Sequence, residues 1–169
     1  MTIPNHAELP LPRRAELIAP PGDPSFTIRR GFAAPRALVW EALTRPAYMK
    51  EWWGPRVLEL VVCEIDLRVG GRYRFVERAP DGSEFAFSGE YRDIRAPERV
   101  ECTFVFEPMP EHVAVQTMVL SEVPGGTLLT STTRHSSVEA RDGHLASGME
   151  GGMNESYEQL DELLATLVR

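Results

Sequence analysis

The sequence predicts an α+β fold in which one curved antiparallel sheet packs against a long C-terminal helix. Three observations lead there. Six successive segments between Val57 and His135 alternate apolar with polar residues and are separated by turn residues. Two short helical patterns precede them, and an apolar stripe at three- and four-residue spacing runs through the last 25 residues. The predicted order is β-α-α-β-β-β-β-β-β-α, and consecutive strands joined by short turns make the sheet antiparallel.

The elements follow in order. Six of the 14 prolines fall in residues 1–25, so this stretch reads as an extended, proline-rich N-terminal extension, with Arg13–Ala19 as a candidate helical turn. The domain proper is expected over residues 26–169. Phe26–Ala33 reads as a strand. Pro35 suits the first turn of a helix whose apolar face is Ala37, Leu38, Val39, Ala42 and Leu43. Pro46 starts a second helix, which Gly54-Pro55 stops. Six strands follow: residues 57–66, 72–78, 84–94, 100–107, 112–123 and 127–135. The final helix is expected from about His144 to Val168.

Composition removes several classes. The chain has 169 residues, 43% hydrophobic and 25% charged, which suits one globular domain. A net charge of −7 argues against a sequence-independent nucleic-acid binder, and no apolar run is long enough to insert in a membrane. The N-terminal residues lack the apolar core of a secretory signal, so the cytoplasm is the expected location. Cys63 and Cys102 lie in strand patterns and read as free, buried thiols.

Alternation assigns faces. Tyr73 and Phe75 share one face, with Arg72, Arg74 and Arg78 on the other, where Arg72 meets Glu90 and Arg78 meets Glu84 across the hairpin. Phe85, Phe87 and Tyr91 continue the inner face, followed by Cys102, Phe104 and Phe106. For the last hairpin, a turn at Gly125-Gly126 pairs Leu120 with Ser131, Met118 with Thr133 and Gln116 with His135. The inner face thus carries aromatic rings at one end and Gln116, Ser131, Thr133 and His135 at the other. Two readings stand: a cavity with apolar walls and convergent polar groups, or polar groups wetted at the open end of the sheet.

The final helix presents Met149, Met153, Tyr157, Leu160, Leu164 and Leu167 on one face, and Glu150, Glu155, Glu158, Asp161 and Glu162 on the solvent face. Gly148, Gly151 and Gly152 weaken its first half. A gate, close helix–sheet packing, or a helix starting only at Met153 would each account for them.

Several motifs resemble one family. Thr44-Arg45-Pro46 with Glu51-Trp52-Trp53-Gly54-Pro55, the Asp66-Leu67-Arg68-Val69-Gly70-Gly71 turn, and Gly89-Glu90-Tyr91 with Arg95-Ala96-Pro97-Glu98-Arg99 are similar to the signature of the activator-of-heat-shock-ATPase-like (AHSA-type) group of the START-like, or SRPBCC, superfamily. Ala96 departs from that pattern, which has proline there. The resemblance covers about residues 26–168. It implies the helix-grip fold, a curved sheet gripping the C-terminal helix around a cavity, in a superfamily of ligand carriers, cyclases and chaperone-binding domains. The motif residues read as structural, with Trp52-Trp53 anchoring the second helix over the sheet.

The function expected is non-catalytic binding or carriage of a small hydrophobic or amphipathic molecule between the sheet and the last helix. The candidate ligand-binding residues are Tyr73, Phe75, Phe87, Tyr91, Phe104 and Met118, with Met149, Met153 and Tyr157 from the helix. Gln116, Ser131, Thr133 and His135 supply polar contacts. One alternative is a cyclase- or hydratase-type enzyme in which His135 or Tyr91 moves a proton, with His135 and Glu122 as a candidate general-base pair. Another is a chaperone-interaction module. Neither the histidines nor the cysteines have metal-ligand spacing, and no phosphate-binding or nucleophile-elbow motif is present, so no metal or cofactor is expected. The proline-rich arm offers one route to a homodimer.

Overall fold

Eight strands alternate with turns through most of the chain and pair into one curved antiparallel sheet. The structure is a computed structural model that describes residues 11–168. The strands are β1 (Glu16–Ile18), β2 (Ser25–Phe32), β3 (Glu59–Ile65) and β4 (Arg72–Arg78), followed by β5 (Glu84–Arg95), β6 (Arg99–Phe106), β7 (Val113–Val123) and β8 (Gly126–Arg134). Their order in space is β1-β2-β8-β7-β6-β5-β4-β3. Helices α1 (Arg36–Thr44) and α2 (Pro46–Trp52) join β2 to β3, and α3 (Val138–Ala146) and α4 (Met149–Leu167) follow β8. This is the α+β helix-grip arrangement, with α4 lying against the concave face of the sheet.

The core forms between that face and the helices. Phe26 and Phe32 of β2, Leu129 of β8, Val39 of α1 and Leu160 of α4 are fully buried there. Trp52 closes the junction of α1 and α2 by donating its indole N–H to the Ala42 carbonyl at 2.8 Å. Buried Arg30 of β2 donates to both carboxylate oxygens of Asp161 on α4, tying helix to sheet.

Four expectations need correction. Arg13–Ala19 does not form a helical turn: residues 16–18 form β1, with Leu17 opposite Ile28 and Glu16 opposite Arg29. Without β1, that edge of β2 would leave its amides and carbonyls unpaired, and Pro20-Pro21 ends the strand. The final helix does not run on from His144. Ser137 caps a separate helix, α3, by accepting from the Ala140 amide, and Gly148 at φ +83° separates it from α4.

In the last hairpin the two-residue turn is Pro124-Gly125, because Val123 pairs with Gly126. The register therefore shifts by two: Leu120 faces Leu129, Met118 faces Ser131 and Gln116 faces Thr133. A shift of two preserves the faces, so the inner set is unchanged. Asp161 and Glu162 are not idle on the solvent side of α4. Asp161 holds Arg30, and Glu162 pairs with Arg56 at 2.7 Å. The β4–β5 register matches the sequence reading, and Arg78 binds Glu84 at 2.7 Å. The third outer arginine, Arg74, reaches Glu107 on the far side of β5.

Candidate functional site

Between the sheet and helices α3 and α4 lies a cavity of about 900 Å³. Strands β4, β5 and β6 supply its aromatic wall. Tyr73 and Phe75 alternate inward from β4, their rings 5.1 Å apart, and Phe87 of β5 stacks on Phe104 of β6 at 5.6 Å. Tyr91 lies 5.5 Å from Tyr73. The Tyr73 hydroxyl donates to the Thr103 carbonyl at 2.6 Å, so this ring is a fixed wall. Burial pushes both phenols far above their ordinary range, and Tyr91 is correspondingly poor as a proton donor at neutral pH.

Strands β7 and β8 supply the polar part. Gln116, Met118, Ser131 and Thr133 line the cavity together. Ser131 and Thr133 are 3% exposed, yet no hydrogen bond engages their hydroxyls among the described residues. Helix α4 closes the opposite side with Met149, Met153 and Tyr157. The Tyr157 ring lies between Phe32 at 5.6 Å and Trp52 at 6.4 Å, and burial pushes its hydroxyl up to about 12. All thirteen residues singled out from the sequence therefore lie on this wall.

A pair of histidines occupies one end. His135, just after β8, meets His144 of α3, with Nε2 and Nδ1 3.0 Å apart. His144 stacks on Phe104 at 5.9 Å and meets Phe26 edge-on at 5.2 Å. Burial, with a smaller contribution from His135, pulls His144 down to about 4, and burial also lowers His135. Both rings are thus neutral at pH 7. The His135 Nδ1 atom is buried without a partner among the described residues. Hydrogen-bond satisfaction favours the tautomer in which His135 Nε2–H donates to His144 Nδ1, because the alternative buries an unpaired N–H. Glu122 takes no part in this pair. It sits opposite Thr127 at the other end of the hairpin and lies 3.8 Å from Arg36. The His135–Glu122 pair is thereby overturned: eight residues of extended strand separate the level of Glu122 from His135.

Of the wall residues that the sequence reading did not single out, three bear most on the chemistry. His144 was placed on the wrong helix. Trp53 does more than anchor α2: its ring packs on Phe75 at 5.0 Å and Phe87 at 5.4 Å, inside the cavity. Glu77 is the third. It is 5% exposed, it faces the cavity, and burial alone raises its carboxyl to about 7. It rests against Gly54, where a Cβ would come 3.0 Å from the carboxyl group, and Gly54 has φ +95°. The signal was present, since Glu77 is in phase with Tyr73 and Phe75 on β4.

Cys63 is half-buried and Cys102 buried. Desolvation pushes both thiols up to about 11, so neither is a nucleophile at neutral pH. Among the described residues, no group of three or more His, Cys, Asp or Glu side chains is arranged to hold a metal ion. None of the described helices is long and apolar enough to cross a membrane.

A curved antiparallel sheet gripping a long C-terminal helix defines the START-like class of helix-grip domains. Residues 33–165 match the family described as activator of Hsp90 ATPase homolog 1-like protein, and the chain belongs to that family. Among solved structures, a protein of Rhodobacter sphaeroides is similar at 30% identity and TM-score 0.83, over 91% of this chain and 99% of that one. A protein of Mycobacterium smegmatis shares 28% identity at TM-score 0.79, over 90% and 98%. An AHSA1-like protein of Aeromonas hydrophila, at 21% identity and TM-score 0.68 over 82% and 93%, shares the fold. No match is found among the curated proteins.

Proposed function

We propose that this chain binds and carries a small hydrophobic or amphipathic molecule in the cavity between its sheet and α4. The observation that carries the reading is the cavity itself. Its volume of about 900 Å³ falls within the range of roughly 300–1,000 Å³ that accommodates drug-sized ligands. Its walls are aromatic and methionine-rich, and the few polar groups on them have free hydrogen-bonding capacity. A filled core would leave those hydroxyls buried and unsatisfied, at about 1–3 kcal/mol each. Carriage is favoured over histidine catalysis because the two histidines are held neutral and weakly basic and, among the described residues, no carboxylate is paired to either.

Binding of the neutral probe N-phenylnaphthylamine tests this. The expected result is one probe bound per chain, with Trp53 fluorescence quenched. Met118→Trp, which fills part of the cavity with apolar volume, should weaken binding at least about tenfold while the protein stays folded. A wild-type protein that binds no probe would overturn the proposal, as would a Met118→Trp variant with unchanged affinity.

A further inference from the structure

We propose that Glu77 makes the cavity selective for hydrophobic guests that carry an ammonium group. The inference rests on the carriage reading above and adds the charge of the guest to it.

Glu77 is a buried residue whose carboxyl opens onto the cavity. No salt bridge or hydrogen bond from any described residue reaches it, and burial is the sole influence that moves its pKa. Its neighbours on β4 explain why. Arg74 and Arg78 point to the opposite face of the sheet, where Glu107 and Glu84 hold them. The chain has 18 lysines and arginines, yet none of them lines the cavity among the described residues. The charged groups that do are carboxylates, Glu77 on β4 and Glu139 on α3.

The carboxyl is also held in place. It lies against the Trp53-Gly54-Pro55 turn, whose Gly54 amide donates to Ser156 Oγ at 2.8 Å and whose Gly54 carbonyl accepts from Gln159 Nε2 at 2.8 Å. Both partners are on α4, so the turn is fixed to the helix. A guest with an anionic head would face the buried Glu77 carboxylate and no countercharge, in surroundings where water screens poorly. A guest with a cationic head would find a carboxylate and the faces of Trp53 and Phe75, which attract cations through their ring quadrupoles. A carboxyl raised to about 7 gives up its proton readily when such a cation arrives.

Two fluorescent probes of nearly equal shape separate charge from apolar fit: diphenylhexatriene and its trimethylammonium derivative. The wild-type chain should bind the cationic probe at least about tenfold more tightly, the effect expected of one desolvated charge pair. Glu77→Gln should bring the two affinities together while retaining the neutral probe. Glu77→Leu serves as a second variant, and thermal melting confirms that each is folded. Glu158→Gln, on the exposed side of α4 and away from the cavity, should keep the cationic preference, which distinguishes Glu77 from a general effect of acidic charge. Equal affinities in the wild type, or a preference that survives in both Glu77 variants or vanishes in Glu158→Gln, would overturn this inference and leave the carriage reading intact. Binding of neither probe would overturn both.

Discussion

Glu77 is costly to the folded chain when ionised, and the sign of that cost can be worked out. A glutamate in the unfolded chain titrates near 4.5, whereas burial moves the folded group to about 7. Below pH 4.5 both states are protonated and the group does not disfavour folding. Between about 4.5 and 7 the unfolded chain ionises freely and the folded one does not, so stability falls as pH rises and levels off above 7. The shift corresponds to roughly 3–4 kcal/mol, of which about 2–3 kcal/mol develops between pH 5 and pH 8. Glu77→Gln removes this dependence. Relative to wild type, the variant should gain roughly 5–10 °C in melting temperature between pH 5 and pH 8. Melts at the two pH values check this, and a difference that does not change with pH would refute it. Residue by residue, the wall was legible wherever strict alternation held, as from Tyr73 to Phe75. Glu77 continued that alternation, but its charge disguised it as a surface residue. Only the absence of a nearby cation, a fact of three-dimensional packing, identifies it as unusual.

The elements are joined by a few polar contacts that alternation cannot show. Arg30 lies in a strand whose inward positions are otherwise apolar, and Asp161 lies on the acidic side of α4, so each looks solvent-facing in the sequence. Together they form the bond between β2 and α4, with Arg30 also donating to the Gly31 carbonyl at 2.7 Å and its guanidinium 4.9 Å from the Phe32 ring. Asp161→Asn leaves the buried guanidinium without its counter-charge and should destabilise the protein by about 2–3 kcal/mol in urea unfolding. Arg30→Met removes the charge along with its need for a partner, and should cost less. If both variants lose the same amount, the pair does not act as a buried charge. The division of the last helix follows the same rule. Ser137 and Gly148 are ordinary cap residues, and the signal was local, but the apolar stripe of α4 drew the sequence reading across the break.

At the scale of the whole molecule, the cavity is closed by elements of unequal stability. Arg141 is the buried residue of α3, anchored to the Pro20 carbonyl at 2.6 Å, whereas α4 buries Tyr157, Leu160, Leu163 and Leu164. Amides of α3 should therefore exchange with deuterium well before those around Leu160–Leu164, and bound N-phenylnaphthylamine should slow α3 selectively. Equal protection of the two helices, or no response of α3 to the probe, would show that α3 does not close over the guest.

The sequence by itself determined the strand series and the inward faces, and through them thirteen residues of the cavity wall, because periodicity and turn chemistry are local and a register error of two residues leaves every side chain on its face. It determined the family as well, through turn motifs that keep their spacing. The tertiary structure alone decided which polar groups meet. It paired β1 with the open edge of β2, brought His144 to His135 from another element, separated Glu122 from both, and left Glu77 facing the cavity without a cation. Those outcomes depend on distances between residues far apart in the chain, and burial and charge take their energy from such distances rather than from the pattern along any one segment.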